Sequence, residues 1–237
     1  SQYDHAYPIL EKYGLKGTFW IVCNYANSTR DGYMNWKQVD QLVSDGQDIQ
    51  NHGMTHTRLP TLTDEQMDAQ IRGCKEMVVQ HGSTGDAFAI PFNDEDSRIV
   101  GIISKIHAYG KGSGGAPQPA DCGGNCETTN ADGTYNKKNR YTMAQWSHDT
   151  FIKNGNMTEH QILDGFVKTV NLGEVDADGE IVKMPIIVYH RINEGETSPS
   201  ASLFAAEMEY LRDNGFRTIG MDDIVYDQQE KKFRLRQ

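Results

Sequence analysis

The chain has 237 residues, a length that suits one large α/β domain or two small ones. Its 33 acidic and 23 basic side chains give a formal net charge of −10, which argues against affinity for nucleic acid or an anionic membrane. No apolar run reaches the roughly 18–20 residues that a membrane-spanning helix needs. These features indicate a globular domain that acts on neither of those partners.

The first half of the chain repeats a unit of amphipathic helix, glycine and short apolar strand. The apolar side chains of "AYPILEKYG" recur at helical spacing up to Gly14, and a strand is predicted over 17–23. A second helix is predicted from an N-cap at Asn35 and a third from an N-cap at Thr63, each ending at a glycine. The strands "QDIQ" and "AFAIPF" are predicted to follow these two helices.

The second half continues this pattern after an interruption. A fourth helix is predicted over 96–106, and a stretch rich in Gly, Asn and Pro over about 109–139 is interpreted as a long surface insertion near the site. A strand in "YTMAQWSHD" and a helix over 158–172 come next. They are followed by a strand in "MPIIVYHRI", a helix in "SLFAAEMEYLRDNG" and a last strand in "FRTIG".

Alternating strands and helices are typical of a parallel sheet. About seven such units, without a glycine-rich phosphate motif, favour a barrel over an open sheet. A closed barrel needs a strand before the first helix, and the sequence has none there. We therefore predict one α/β barrel domain over 1–237 that lacks its first strand, and we expect that strand upstream of Ser1.

The four cysteines fall into two kinds of context. Cys23 and Cys74 lie in apolar stretches and are predicted to be buried free thiols. Cys122 and Cys126 stand in the glycine-rich "CGGNC", where a small disulfide and two free thiols are both plausible. A single pair of cysteines is a weak signal for zinc. Because the pairing of these cysteines is undecided, the sequence does not determine the redox compartment of the protein.

Two histidines follow the strand "QDIQ". Catalytic groups of α/β barrels gather at the carboxyl ends of the strands, and His52 and His56 stand at such a place. If the chain turns helically there, the spacing of four residues lets two neutral imidazoles face one divalent ion. Zinc sites usually add a third protein ligand and an open position for water. The alternative is that both histidines are ordinary polar loop residues.

Further candidates stand at the ends of later strands. Pro91 and Phe92 end "AFAIPF", Trp146 and Asp149 end "AQWSHD", and His190 ends "IIVY". His190 is a candidate general acid, because imidazole titrates near neutral pH, and Asp149 is its candidate carboxylate partner. The alternatives are a hydrogen-bonded histidine at the edge of the core, a solvated aspartate and a tryptophan that belongs to the core.

Taken together, these segments resemble the polysaccharide deacetylases of the NodB-homology type, carbohydrate esterase family 4. "SQYDHAYPILEKYGLKGTFWIV" resembles the first helix and second strand of that family. "DIQNHGMTHTRL" is similar to its metal-binding second motif and "AFAIPF" to the third motif, which builds one wall of the groove. "WSHDT" and "IIVYH" resemble the fourth and fifth motifs. The resemblance covers essentially the whole chain.

The resemblance implies a distorted (β/α) barrel that hydrolyses N-acetyl groups on an amino-sugar polymer or oligosaccharide with the help of a divalent metal, zinc above all. By match, His52 and His56 would bind that metal together with an aspartate. His190 would protonate the leaving amine, with Asp149 as its partner. The backbone N–H of Phe92 would help to hold the oxyanion.

Pro91 and Trp146 would complete the groove that binds the N-acetylated carbohydrate. An extracellular or cell-envelope location is suspected from the family alone.

The chain departs from the family at three places. The Asp-Asp pair of the first motif, which supplies the base and the third metal ligand, is absent. The arginine of the third motif, which steadies that base, is replaced by Ala89, and an aromatic residue after the fourth motif is replaced by Lys153. We therefore expect a chain that is cut before the Asp-Asp pair, binds metal weakly and has little or no activity.

Two other functions remain open from the sequence. One is a non-catalytic carbohydrate-binding pseudoenzyme on the same barrel, and the other is a metal-dependent amidase for small non-sugar amides. A barrel that lacks a strand exposes two unpaired edges, so self-association through an open edge is also expected.

Overall fold

The computed structural model describes most of the chain, namely residues 2–28, 32–114, 140–147, 152, 157–195 and 198–237. Its centre is a parallel sheet of six strands in the order β1-β2-β3-β4-β5-β8. The strands are β1 (Thr18–Ile21), β2 (Asp48–Asn51), β3 (Ala87–Ala89), β4 (Tyr109–Gly114), β5 (Met143–Ser147), β6 (Glu174–Val175), β7 (Ile181–Lys183), β8 (Ile187–Val188), β9 (Ile224–Asp227) and β10 (Lys232–Leu235). Two antiparallel ribbons, β6 with β7 and β9 with β10, stand beside the sheet.

Helices connect successive strands. They are α1 (Tyr7–Tyr13), which continues a π-helix over Gln2–Ala6, and α2 (Cys23–Asn27), α3 (Trp36–Ser44), α4 (Asp64–Gln80), α5 (Ser97–Ile103), α6 (Glu159–Val170) and α7 (Ala201–Asp213). Asn35, Thr63 and Thr158 form reciprocal capping boxes with a glutamine three residues later, as the sequence predicts. Among the described helices, none is both long and apolar enough to cross a membrane.

The sheet curls into a half-barrel and leaves a gap between its two outer strands. β1 pairs only with β2, and β8 only with β5, so β1 and β8 each present one free edge within the described chain. A cavity of about 550 Å³ lies between these edges and is lined by residues of both strands. The predicted parallel α/β fold with an open position in its barrel is confirmed.

The walls of this cavity are apolar on two sides. Leu10, Phe166 and Met208 line it from the core cluster that includes the helices α1, α6 and α7. Trp20 and Met221 line it from a second cluster around the interior of the sheet. A strand inside a parallel sheet is buried on both faces and therefore needs apolar walls on both sides. The cavity has such walls, so its lining suits one more parallel strand.

Two predicted elements differ from the structure. Residues 109–114, interpreted as the start of a surface insertion, form β4 between β3 and β5, and residues 115–139 lie outside the described part of the chain. "FRTIG" is not a strand, because residues 216–220 have no ladder partner, and the chain ends in the β9–β10 hairpin instead.

The prediction of free thiols at Cys23 and Cys74 is wrong. The two residues form a disulfide with a Cα–Cα distance of 5.5 Å, and both side chains are fully buried. Cys23 opens α2 directly after β1, and Cys74 lies in the middle of α4, so the bond ties the first strand to the helix beneath it. Cys122 and Cys126 lie outside the described residues.

A carboxyl group is buried at the opposite end of the sheet from the candidate site. Asp48 opens β2, is 3% exposed, and accepts hydrogen bonds from the Thr18 hydroxyl (2.8 Å) and the Met221 N–H (2.9 Å). Burial, and then the nearby negative charge of Asp222, raises the pKa of Asp48 to about 6. The unfolded chain has the ordinary value near 3.8, so between these pH values the folded protein binds the proton more tightly.

We expect this group to lower the free energy of unfolding as pH rises from about 4 to 6, by about 2–3 kcal/mol. Asp48→Asn removes the titration. Over the same pH window, the free energy of unfolding of the variant, measured in urea titrations, should therefore rise by that amount relative to wild type. Asp68→Asn is the control, because the exposed Asp68 has a lowered pKa from its bond to Arg72 and titrates below the window. Parallel pH profiles of wild type and Asp48→Asn would contradict the prediction.

Candidate active site

His52 and His56 lie at the carboxyl end of β2 and face each other. The His52 N–H donates to the Ile21 carbonyl at 2.9 Å and so continues the parallel pairing one residue beyond the strand. Gly53 and His56 then take left-handed backbone conformations, with φ of +82° and +55°. The ring centroids lie 4.7 Å apart in an edge-to-face arrangement. A tight turn, and not a helix, therefore brings the two imidazoles together.

Both imidazoles are held in the neutral form. The Nδ1 atom of His52 lies 2.8 Å from the Ala89 carbonyl oxygen, which places the proton on Nδ1 and leaves the lone pair of Nε2 free for a ligand. Burial, and then the positive charge of Lys111, lowers the pKa of His52 to about 3. Burial also lowers the pKa of His56. Neutral imidazole is the form that binds a divalent cation.

A strained turn builds the wall beside this pair. After β3 the chain forms a short 3₁₀ turn over Pro91–Asn93, in which Phe92 and Asn93 have φ of +61° and +55°. The half-exposed Phe92 ring lies 4.6 Å from the His56 ring, and the Arg58 guanidinium covers it at 4.4 Å. Non-glycine residues in this region cost about 1–3 kcal/mol each, and such strain is concentrated at functional sites.

His190 follows β8 and lies at the same edge of the sheet. The preceding Tyr189 donates from its hydroxyl to the buried Glu207 of α7 at 2.8 Å, which anchors the end of the strand. The Gln2 amide donates to the His190 carbonyl at 3.1 Å. The His190 side chain is exposed. His190 therefore lies at the same carboxyl edge of the sheet as His52 and His56, although they are far apart in sequence.

The structure places Trp146 away from the predicted groove wall. Trp146 is 1% exposed, and its ring packs toward α6, with the Phe166 ring centroid at 6.5 Å. The tryptophan belongs to the core between sheet and helix, so it does not supply an open wall of the groove. Asp149 and Lys153 lie outside the described residues.

A buried polar network that the sequence does not predict lies next to the histidines. Lys111 of β4 is 5% exposed and donates to the Gln145 side-chain oxygen on β5. Gln145 in turn donates to the Asn93 side-chain oxygen at 3.3 Å. A lysine between two glycines looks like a loop residue, and the one sequence signal for a strand there is the short pair "AY" before it.

The described residues supply only some of the ligands that a divalent cation needs. His52 and His56 present two neutral nitrogens on one side of the site, as metal ligation requires. Across the described part of the chain, no group of three or more His, Cys, Asp or Glu side chains forms a complete metal site. The pair therefore fits a metal ion as two ligands of an incomplete set.

Comparison with known proteins accounts for this geometry. The family model for polysaccharide deacetylases matches residues 1–109, a little under half of the chain, including both histidines of the pair and the Pro91–Asn93 turn. This segment is thus similar to polysaccharide deacetylases, whose family model covers the part of the chain that carries the histidine pair. The resemblance inferred from the sequence motifs is confirmed.

A curated deacetylase relative matches a shorter segment. YxkH of Bacillus subtilis strain 168, named as a candidate polysaccharide deacetylase, is 27% identical over 77 residues. The match covers 32% of this chain and 27% of YxkH, so this chain corresponds to about a quarter of that relative.

Solved structures of the deacetylase family share the fold over nearly the whole chain. A family 4 carbohydrate esterase from Streptomyces lividans, in complex with acetate, has a TM-score of 0.59 at 14% identity and covers 100% of this chain and 92% of its own. A family 4 pseudoenzyme from Bacillus anthracis has a TM-score of 0.57 at 13% identity, over 92% of this chain and 58% of its own. At these identities the likeness establishes the fold alone.

Proposed function

We propose that this chain carries the catalytic framework of a metal-dependent deacetylase that removes N-acetyl groups from an amino-sugar polymer or oligosaccharide. The observation that carries the proposal is the facing pair of His52 and His56 beside the strained turn at Phe92, at the edge of the sheet where His190 also lies. The match of residues 1–109 to the deacetylase family model supports the same chemistry.

Each described residue has a separate role in this proposal. The Nε2 atom of His52 and the imidazole of His56 would hold a divalent metal, zinc above all, and a bound metal would polarise the amide carbonyl and make a water molecule acidic. His190 donates a proton to the leaving amine nitrogen, with Asp149 as the proposed carboxylate partner. The turn at Pro91 and Phe92 forms the wall, and the Phe92 N–H supports the oxyanion.

The proposal needs two carboxylates that the described residues do not supply, one as third ligand and one as base. We infer that both come from a strand seated in the cavity between β1 and β8. The cavity has apolar walls on both faces, and the strands β1 and β8 that border it belong to a parallel sheet. A strand that runs in the same direction would therefore end at the edge where the histidines lie. Without it, the free strand edges favour self-association, and a monodisperse monomer in light scattering would contradict that.

The chain of 237 residues is expected to bind Zn²⁺ with a dissociation constant weaker than about 1 µM, since two imidazoles form an incomplete set. Calorimetry should show this weak binding and its loss in His52→Ala and in His56→Ala. His160→Ala, at an exposed histidine of α6, is the matched control and should leave binding unchanged. Acetate release from chitooligosaccharides, peptidoglycan fragments and small amides should be close to background. Rapid turnover by this chain would contradict an incomplete site.

A second candidate is a non-catalytic carbohydrate-binding protein on the same half-barrel. The absence of a base from the described site favours it, and the Bacillus anthracis structure is itself described as a pseudoenzyme. Binding of N-acetylated oligosaccharides without acetate release, even after the carboxylates are supplied, would establish this function. The buried Cys23–Cys74 disulfide agrees with an oxidising compartment for either candidate, consistent with an extracellular or cell-envelope location.

A further inference from the structure

The amino group of Lys111 is buried next to the histidine pair. Lys111 pairs with Ala89 in the parallel ladder between β3 and β4, so the two side chains leave the sheet on the same face. The Ala89 carbonyl is the group that holds His52. The short methyl side chain of Ala89 does not extend into the site, whereas the neighbouring position on β4 carries the long side chain of Lys111.

Within the described residues, the hydrogen bond of this ammonium goes to a neutral amide. Lys111 donates to Gln145, which is held in turn by Asn93 of the strained turn. Burial lowers the pKa of Lys111 to about 8, and no carboxylate of the described chain opposes that effect. An ammonium group has three N–H donors, and a buried cation is normally paired with an anion. The network fixes the ammonium in place and leaves donors for such an anion.

We propose that Lys111 forms a preorganised anion-binding site, which binds a single carboxylate and positions that carboxylate beside the His52–His56 pair. The metal-binding pair adds to the need for this anion, because a lysine cation beside a divalent ion is repelled unless negative charge lies between them. The carboxylate is either that of the base on a strand in the cavity or that of free acetate. The choice of ligand and the charge of the metal rest on the proposed function, whereas the buried ammonium does not.

The direct test follows the Lys111 ammonium by NMR of ¹⁵N-labelled lysine during titration of the chain with sodium acetate, with EDTA present to remove metal ions. One buried lysine signal should shift and saturate in the millimolar range, and Lys111→Met should lose that signal and the binding. Lys111→Arg should retain acetate binding with a several-fold weaker affinity. Lys75→Met is the matched control, because Lys75 is a half-buried lysine that donates to the Ile106 carbonyl.

Sodium chloride at equal ionic strength separates a carboxylate site from a general salt effect. If chloride reproduces the shift, or if no lysine signal saturates with acetate in the wild-type chain, the anion site is wrong. These outcomes do not depend on metal or turnover, so they leave the proposed deacetylase function intact. Conversely, saturable acetate binding by this chain, together with no acetate release after an Asp-Asp strand is supplied, would uphold the anion site and reject the deacetylase.

A second comparison distinguishes the two sources of carboxylate. A strand ending in Asp-Asp is joined before Gln2 in one chain, and the same strand ending in Asn-Asn is joined in the other. If the base carboxylate is the ligand, the Asp-Asp chain should bind acetate at least several-fold more weakly than the Asn-Asn chain. Equal acetate affinity in both assigns the site to free acetate.

Discussion

Joining a strand with a carboxyl-terminal Asp-Asp pair to the amino end of this chain is expected to raise acetate release from N-acetylated oligosaccharides by about 10²–10⁴-fold, the usual contribution of a positioned general base. A short connection between the added strand and this chain suffices, because the Gln2 side chain already donates a hydrogen bond to the His190 carbonyl at the edge of the sheet where the histidines lie. A strand parallel to β1 and β8 would run toward that edge and end there. Acetate release in the presence of Zn²⁺ is the measurement.

The Asn-Asn version of the same strand is the matched control. Both extended chains should unfold at higher temperature than the parent, since each large apolar side chain buried in the cavity contributes about 1.5–3 kcal/mol. Only the Asp-Asp chain should bind Zn²⁺ tightly and release acetate. This pair separates filling of the cavity from supply of the carboxylates.

Two different failures are distinguishable. If both extended chains are more stable but neither releases acetate, the strand docks and the deacetylase function is wrong. If neither is more stable than the parent, the strand does not enter the cavity, and the proposed source of the carboxylates is wrong.

The sequence could predict what local signals determine. Capping boxes at Asn35, Thr63 and Thr158 depend on residues three apart, and the helices begin where they predict. The histidines were found because the carboxyl ends of parallel strands share one edge, which turns distant sequence positions into neighbours. The same rule cannot show which way a side chain points, and Trp146 at such a strand end faces the helix layer instead.

What the sequence could not predict depends on contacts between distant segments. β4 contains glycines that look like loop residues, yet a Cβ atom at Gly110 would lie 2.7 Å from the Tyr141 carbonyl oxygen. Close strand packing, and not flexibility, requires glycine there. A pattern that predicts an insertion at β4 cannot predict the buried Lys111 within it. The pairing of Cys23 with Cys74 likewise needs the fold that brings α2 and α4 together.

Removing the Cys23–Cys74 bond is expected to lower the free energy of unfolding by about 4 kcal/mol, the loop-closure effect for a sequence separation of 51 residues. Cys23→Ala with Cys74→Ala should show this loss in urea titrations. Reductant in the titration should lower the stability of wild type toward that of the double variant. Cys122→Ala with Cys126→Ala is the matched control and should still respond to reductant.

The disulfide also bears on the candidate site, because the residues around it hold the loop of the histidine pair. The Cys23 N–H donates to the Gly53 carbonyl at 3.1 Å, and the Asn24 N–H donates to the Met54 carbonyl at 2.9 Å. Loosening α2 therefore frees the turn that orients His52 and His56. We expect Zn²⁺ affinity to fall together with stability in the Cys23/Cys74 variant. An unchanged unfolding free energy would show that the bond does not constrain the chain, whereas lost stability with full Zn²⁺ affinity would show that the turn is held independently.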